Sequence, residues 1–236
     1  MQLSGLLQRL MGGRGAAGGL GGRKLPTMSR RRTERYAVPQ GRLIVFPEAI
    51  WPIIDISLTG LRVRVGRNFV VGPTPIYVTL RWGHTVLRTK VKLAWHSGDD
   101  AGLVICDTTG ESLMRLRRLI EPLALGSSLS LIDSSATLGS ESGKKWFHGQ
   151  EDANLWVWQS PNTKTLHKWI LHHGHHIYTW TDAKGLELRA YAPMGYTPMT
   201  PGEAVAVPVK TQLPWLRDLL WSLPSAVRHD LLRTLN

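Results

Sequence analysis

The feature that most restricts the fold is a strict two-residue alternation of apolar and basic side chains, repeated in short runs. Leu61-Arg62-Val63-Arg64-Val65 is one run. In a second, Leu87, Thr89, Val91, Leu93 and Trp95 alternate with Arg88, Lys90, Lys92 and Ala94. A period of two belongs to a strand with one buried face and one wet face, here with the arginines outward. Further strands are predicted at Leu43 to Phe46, Ile50 to Ile56, Ile76 to Trp82 and Gly102 to Cys106. Pro47, Gly60, Gly72-Pro73, Gly83 and Gly98-Asp99-Asp100 part them. Short strands at this spacing predict a small β-barrel. A helix follows, with Leu113, Leu116, Leu119, Ile120 and Leu123 on one face and Thr108 or Thr109 at its cap.

The rest of the chain differs in composition. Positions 126–145, rich in Ser and Gly, read as a linker. Beyond it Leu155 to Trp158, Leu166 to Trp180 and Gly185 to Tyr191 predict a three-stranded antiparallel meander. Trp146, Trp156, Trp158, Trp169 and Trp180 are its expected core, since a short sheet needs large side chains to bury enough surface. The close is helical, with one apolar stripe from Leu213 to Leu223 and another through Val227, Leu231 and Leu235. The fold class is thus mainly β with flanking helices (α+β). Four parts are expected: a Gly-rich basic leader over 1–28, a barrel with its helix over 29–125, a linker over 126–145, and a Trp-rich meander with an interaction role over 146–236. Met28, just before an arginine run, offers an alternative start to Met1.

Charge narrows the partner without naming it. Lys and Arg number 29 against 17 Asp and Glu, a net +12, so an anionic partner is expected. Much of the excess lies in the first thirty-five or so positions, where Glu34 is the only acid. The single cysteine, Cys106, excludes an internal disulfide and a cysteine-based zinc site, and reads as a buried thiol. No apolar window approaches a membrane span, and the first residues make a poor secretory signal, so a cytoplasmic protein is expected.

Two short motifs carry the functional reading. Arg31-Arg32-Thr33-Glu34-Arg35 is an RxxxR on the approach to the first strands, and Asp55-Ile56-Ser57-Leu58-Thr59-Gly60 is a DxSxxG at a strand end. Either alone is weak; their order, their spacing and the barrel pattern behind them are much more specific. Together with the strand Ala101 to Ile105 and its following helix, these motifs resemble the PilZ domain family over about Ser29 to Leu125. The resemblance implies a six-stranded bacterial barrel that binds cyclic di-GMP, non-catalytic, with a neighbouring domain or partner supplying the output. It also implies Arg30, Arg31, Arg35, Asp55, Ser57 and Gly60 as ligand-binding residues, with no cofactor beyond that nucleotide.

The chemistry of those residue types suits such a ligand. An arginine fork pairs with phosphate oxygens or with guanine O6 and N7, and its plane stacks on a purine. The Asp55 carboxylate accepts from guanine N1 and N2, and the Ser57 hydroxyl donates or accepts. Gly60 permits a positive-φ turn and a close approach of ligand to backbone. The plain structural reading of Asp55 and Ser57 is a turn that bonds its own backbone, and that of the arginines a solvated charge run. The implied partner is a component of motility, pilus, adhesion or exopolysaccharide machinery.

His172, His173, His175 and His176, with His167 and His148, are read as a solvated hairpin about Gly174 rather than a metal site. His167 and His173 share one face of that strand and His172 takes the other. No nucleophile and base arrangement is recognisable, so no catalytic residue is assigned. The alternatives are a nucleic-acid-binding barrel, disfavoured by few exposed aromatics on the strands, and an adaptor with a degenerate barrel that binds protein without nucleotide.

Overall fold

Two antiparallel sheets and three helices make up the computed structural model, which describes residues 33–39, 41–45, 49–66, 74–82, 85–107, 109–132, 143–190 and 205–235. The first sheet comprises β1 (Tyr36–Ala37), β2 (Arg42–Val45), β3 (Ala49–Ile56), β4 (Gly60–Arg64), β5 (Ile76–Trp82), β6 (Thr85–Ser97) and β7 (Asp100–Ile105). Its order is β1-β3-β2-β5-β6-β7-β4, and β3 pairs with β4 as well. β3 serves both neighbours by sharing out its length: Ala49 to Pro52 pair with β2, and Ile53 to Ile56 with β4. A register shift between Ile53 and Asp55 marks the changeover, the local bend that a bulge gives a strand. Six barrel strands were expected; the described residues form a seven-stranded sheet. The added strand, Tyr36–Ala37, is too short to show alternation.

The alternation predicts the core well. Leu61, Val63, Val78, Leu80, Val91, Leu103 and Ile105 are buried, while Arg64, Arg88, Lys90 and Lys92 face water. Trp95 was expected in this core, but a register shift between Leu93 and Trp95 takes it out of phase, and it is 43% exposed over Gly102. Cys106, expected to be buried, is half-buried at the end of β7, where the chain leaves the sheet.

α1 (Gly110–Ser128) caps this core with Leu116, Ile120 and Leu123. Thr109 is its N-cap, the hydroxyl accepting from the Ser112 N–H at 3.4 Å; Thr108 lies outside the described residues. At 19 residues α1 extends for roughly 28 Å, and its far end enters a second core through Leu125, with Leu129 just beyond. The linker reading of 126–145 is therefore corrected. Gly126 to Ser128 complete the helix, β8 (Ser130–Ile132) follows at once, and Lys144 and Lys145 open β9 (Lys144–His148); 133–142 lie outside the described residues. Gly126 is a packing residue: a methyl there would come 2.1 Å from the Leu219 carbonyl oxygen.

The second sheet continues with β10 (Asn154–Gln159), β11 (Leu166–His173), β12 (His176–Thr181), β13 (Gly185–Ala190) and β14 (Val205–Ala206), a meander in sequence order from β8 to β14. It has seven strands where three were expected, because the run Leu166 to Trp180 folds back at Gly174 and strands join at both edges. One face carries Phe147, Leu155, Val157, Trp169, Leu171, Tyr178 and Leu188. α2 (Leu213–Trp221) and α3 (Ser225–Arg233) cover it with Leu216, Leu219, Leu220, Val227 and Leu231. Of the tryptophans expected as core, Trp169 is fully buried and donates to Thr234 Oγ1 at 3.1 Å, and Trp180 packs at the margin. Trp156 and Trp158 alternate out of phase with Leu155 and Val157, so they stand on the opposite face beside Trp146, the cross-strand partner of Trp156. There Lys144 and Lys168 lie 5.1 and 5.0 Å from the Trp158 ring centre.

Thr33–Asn236 form one compact unit, in which α1 belongs to both cores. Among the described residues, no helix is long and apolar enough to cross a membrane.

Candidate functional site

The DxSxxG segment is a tight corner between β3 and β4. Ser57 N–H donates to the Gly60 carbonyl at 2.8 Å, and the Ser57 hydroxyl donates to the same oxygen at 3.0 Å. The hydroxyl also accepts from the N–H groups of Thr59 and Gly60, at 3.3 and 3.2 Å. Ser57 is 1% exposed. The expectation of a hydroxyl presented to a ligand is corrected: its hydrogen bonds hold the corner, as serine does in turns. Gly60 is corrected too. It is not among the glycines at positive φ; its side chain is missing because a methyl would meet the Leu103 carbonyl oxygen at 2.5 Å, where β4 runs against β7.

Asp55 is the charged centre of the corner. The bulge in β3 sets it opposite Arg62 of β4, and β1 sets Ala37 against its other edge. Arg35, two residues before Ala37, is thereby carried to the carboxylate, and its guanidinium donates to Asp55 Oδ1 at 2.5 Å. Arg62 Nε lies 2.8 Å from Asp55 Oδ2, and Arg62 and Arg64 reach Asp100 at 3.8 and 3.6 Å. Ahead of Arg35, the Thr33 hydroxyl meets that of Thr59 at 3.0 Å. The last residues of RxxxR are thus seated on the DxSxxG corner. Arg31 and Arg30 lie outside the described residues.

Three guanidiniums and two carboxylates meet in this network, which leaves one positive charge over at the surface. Arg62 was missed by sequence reasoning. Alternation marked it as outward, but only the register assigns it to Asp55. An ionised carboxylate accepts at about four positions, so Asp55, held by two arginines, retains acceptor capacity toward a ligand N–H. The arginines retain donors toward phosphate.

Two cavities adjoin the arm. One, of about 660 Å³, lies between Thr33 to Tyr36, Leu58, α1 and the 3-10 turn at Gln150 to Asp152. The other, of about 570 Å³, lies between Glu34 to Ala37 and the α2–α3 corner. Tyr36 lines both; burial, then its hydrogen bond to Glu34 at 2.7 Å, pushes its phenol up to about 12.

The histidines divide as alternation requires. His172 meets Trp156 edge-on on the outer face of the second sheet, and His173 stacks on Trp215 beneath the helices. His173 Nε2 also lies 3.4 Å from Glu151, and Glu121 brings a third ligand-type atom within 4.8 Å of both. Glu151 is widely exposed, while the His173 side chain is largely covered.

The described residues thus form an antiparallel β domain whose arginine arm closes on a DxSxxG corner. Residues 29–121 match the family model of the PilZ domain. Among solved structures the chain is similar to the PilZ domain with c-di-GMP of YcgR from Escherichia coli, at 14% identity, over 40% of this chain and 91% of that one, TM-score 0.34. It is similar to the PilZ domain of CeSA from a cellulose-synthesizing bacterium at 16% identity, over 39% and 92%, TM-score 0.30. It is also similar to the uncharacterized Legionella protein Lpg0364 at 13% identity, over 38% and 92%, TM-score 0.32. No curated protein matches.

Proposed function

We propose that this chain is a non-catalytic cytoplasmic receptor for cyclic di-GMP, whose binding alters how the second half meets a partner in motility, pilus, adhesion or exopolysaccharide machinery. The observation that carries the reading is the 2.5 Å contact between Arg35 and Asp55, which joins the two motifs at one corner. In this reading the pairings of the first sheet act as the PilZ barrel, and Arg30, Arg31 and Arg35 clasp the phosphates and guanine acceptors. Asp55 takes guanine N–H donors, while Ser57 and Gly60 act through the corner they build. Arg62 joins the set, because it shares the Asp55 carboxylate.

A charged hydrogen bond contributes about 1.5–3 kcal/mol, so Arg35→Ala and Asp55→Ala should each weaken cyclic di-GMP binding at least about tenfold. Equilibrium dialysis of the full chain and each variant tests this; variants that bind like the wild type overturn the assignment. The nucleic-acid alternative gains two exposed aromatics on the strands, Tyr77 and Trp95, where few were expected. Arg88 and Lys90 lie over the Tyr77 ring at 5.1 and 4.7 Å, which leaves that ring a poor stacking platform.

A further inference from the structure

The cavity of about 570 Å³ has two walls of different origin. One is the arm, Glu34 to Ala37, beside the PilZ corner; the other is the turn from α2 to α3, with Trp221 and Arg228. Arg35 and Arg228, one from each half, line the cavity together with Ser127 of α1. Its carboxylate, Glu34, already accepts from the Tyr36 hydroxyl at 2.7 Å. Arg228 is held over the Trp221 indole, 5.4 Å from the ring centre, and its buried Nε has no hydrogen-bond partner. With Glu34 the one carboxylate among the lining residues, Arg35 and Arg228 leave the cavity a net positive charge that favours an anion. The volume lies within the roughly 300–1,000 Å³ of small-molecule sites.

We propose that Arg228, oriented by Trp221, is a second-half binding residue for the anionic purine nucleotide held at Arg35 and Asp55. This rests on the cyclic di-GMP reading and extends it to helices outside the segment that matches the PilZ family model. A planar guanidinium backed by an indole offers both a fork for phosphate and a face for a purine. A nucleotide spanning this cavity touches the arm and the α2–α3 corner at once, so occupancy is felt in both cores.

The test uses the full chain and cyclic di-GMP. Arg228→Ala should weaken binding by about tenfold to a hundredfold, while Arg233→Ala, an exposed residue of the same helix, leaves it unchanged. Hydrogen–deuterium exchange of the wild-type chain, which needs no variant to fold, should show protection of the peptide over 221–228 on adding the nucleotide. Wild-type binding with no protection there, or with Arg228→Ala binding equally, overturns this inference and leaves the cyclic di-GMP reading standing. No wild-type binding at all overturns both.

Discussion

At the residue scale, the corner shows two residues of one motif doing different work from Asp55. Ser57 and Gly60 shape the backbone, and Asp55 gathers charge. Gly60 gives the sharper prediction. Its missing methyl faces a backbone carbonyl of β7, which has no rotamer to move aside. Gly60→Ala should therefore destabilise the fold by about 1–3 kcal/mol, whereas Gly66→Ala, with nothing within 4 Å, should stay within about 0.5 kcal/mol of wild type. Urea unfolding of the two variants measures the difference, and equal midpoints would contradict the packing argument. The motif residues were legible in the sequence because their types and spacing are local. Arg62 was not, because which carboxylate an outward arginine meets depends on strand register. Gly60 was read for its φ and not for its close approach to β7, since a glycine looks the same whichever it serves.

At the element scale, α1 and α2 join the two cores, and Asp218 of α2 makes that junction sensitive to pH. Burial pushes its carboxyl up to about 6, opposed by the Trp82 indole of β5 and by Arg217. The indole N–H has no hydrogen bond of normal geometry, so the opposition is incomplete. A carboxyl with a raised folded pKa favours the protonated fold. Its contribution is present below its ordinary value of 3.8 and is lost as pH rises towards about 6. The shift sets a ceiling of about 3 kcal/mol, and partial exposure brings this to about 1–2 kcal/mol. Asp218→Asn should accordingly raise the melting temperature at pH 7.5 and have little effect near pH 4. An equal gain at both values would mean that ionisation is not the cause.

The elements also show where local pattern stopped being informative. The alternating strands and the capped helix were legible, because period and cap chemistry are properties of neighbouring residues. The stretch 126–145 was misread, because Ser and Gly mark a linker and a close helix crossing alike; Gly126 against Leu219 is the second case. Trp156 and Trp158 alternate as strand residues should, but which face the helices cover is a tertiary decision, and it went to Leu155 and Val157.

At the scale of the molecule, the sheet that carries the DxSxxG corner is joined through α1 to a helix-backed meander. Arg35, in the proposed nucleotide site, shares a cavity with the α2–α3 corner that covers the second core. That adjacency comes from α1 running on past the expected domain boundary, so no reading that ended the first half at Leu125 would have found it. The net charge of +12 draws many anions weakly, and the central claim is therefore one of selectivity. Titration calorimetry of the full chain with cyclic di-GMP and, separately, with GTP tests it most directly. The account predicts micromolar or tighter binding of the cyclic dinucleotide and far weaker binding of GTP; equal, weak heats for the two would contradict it.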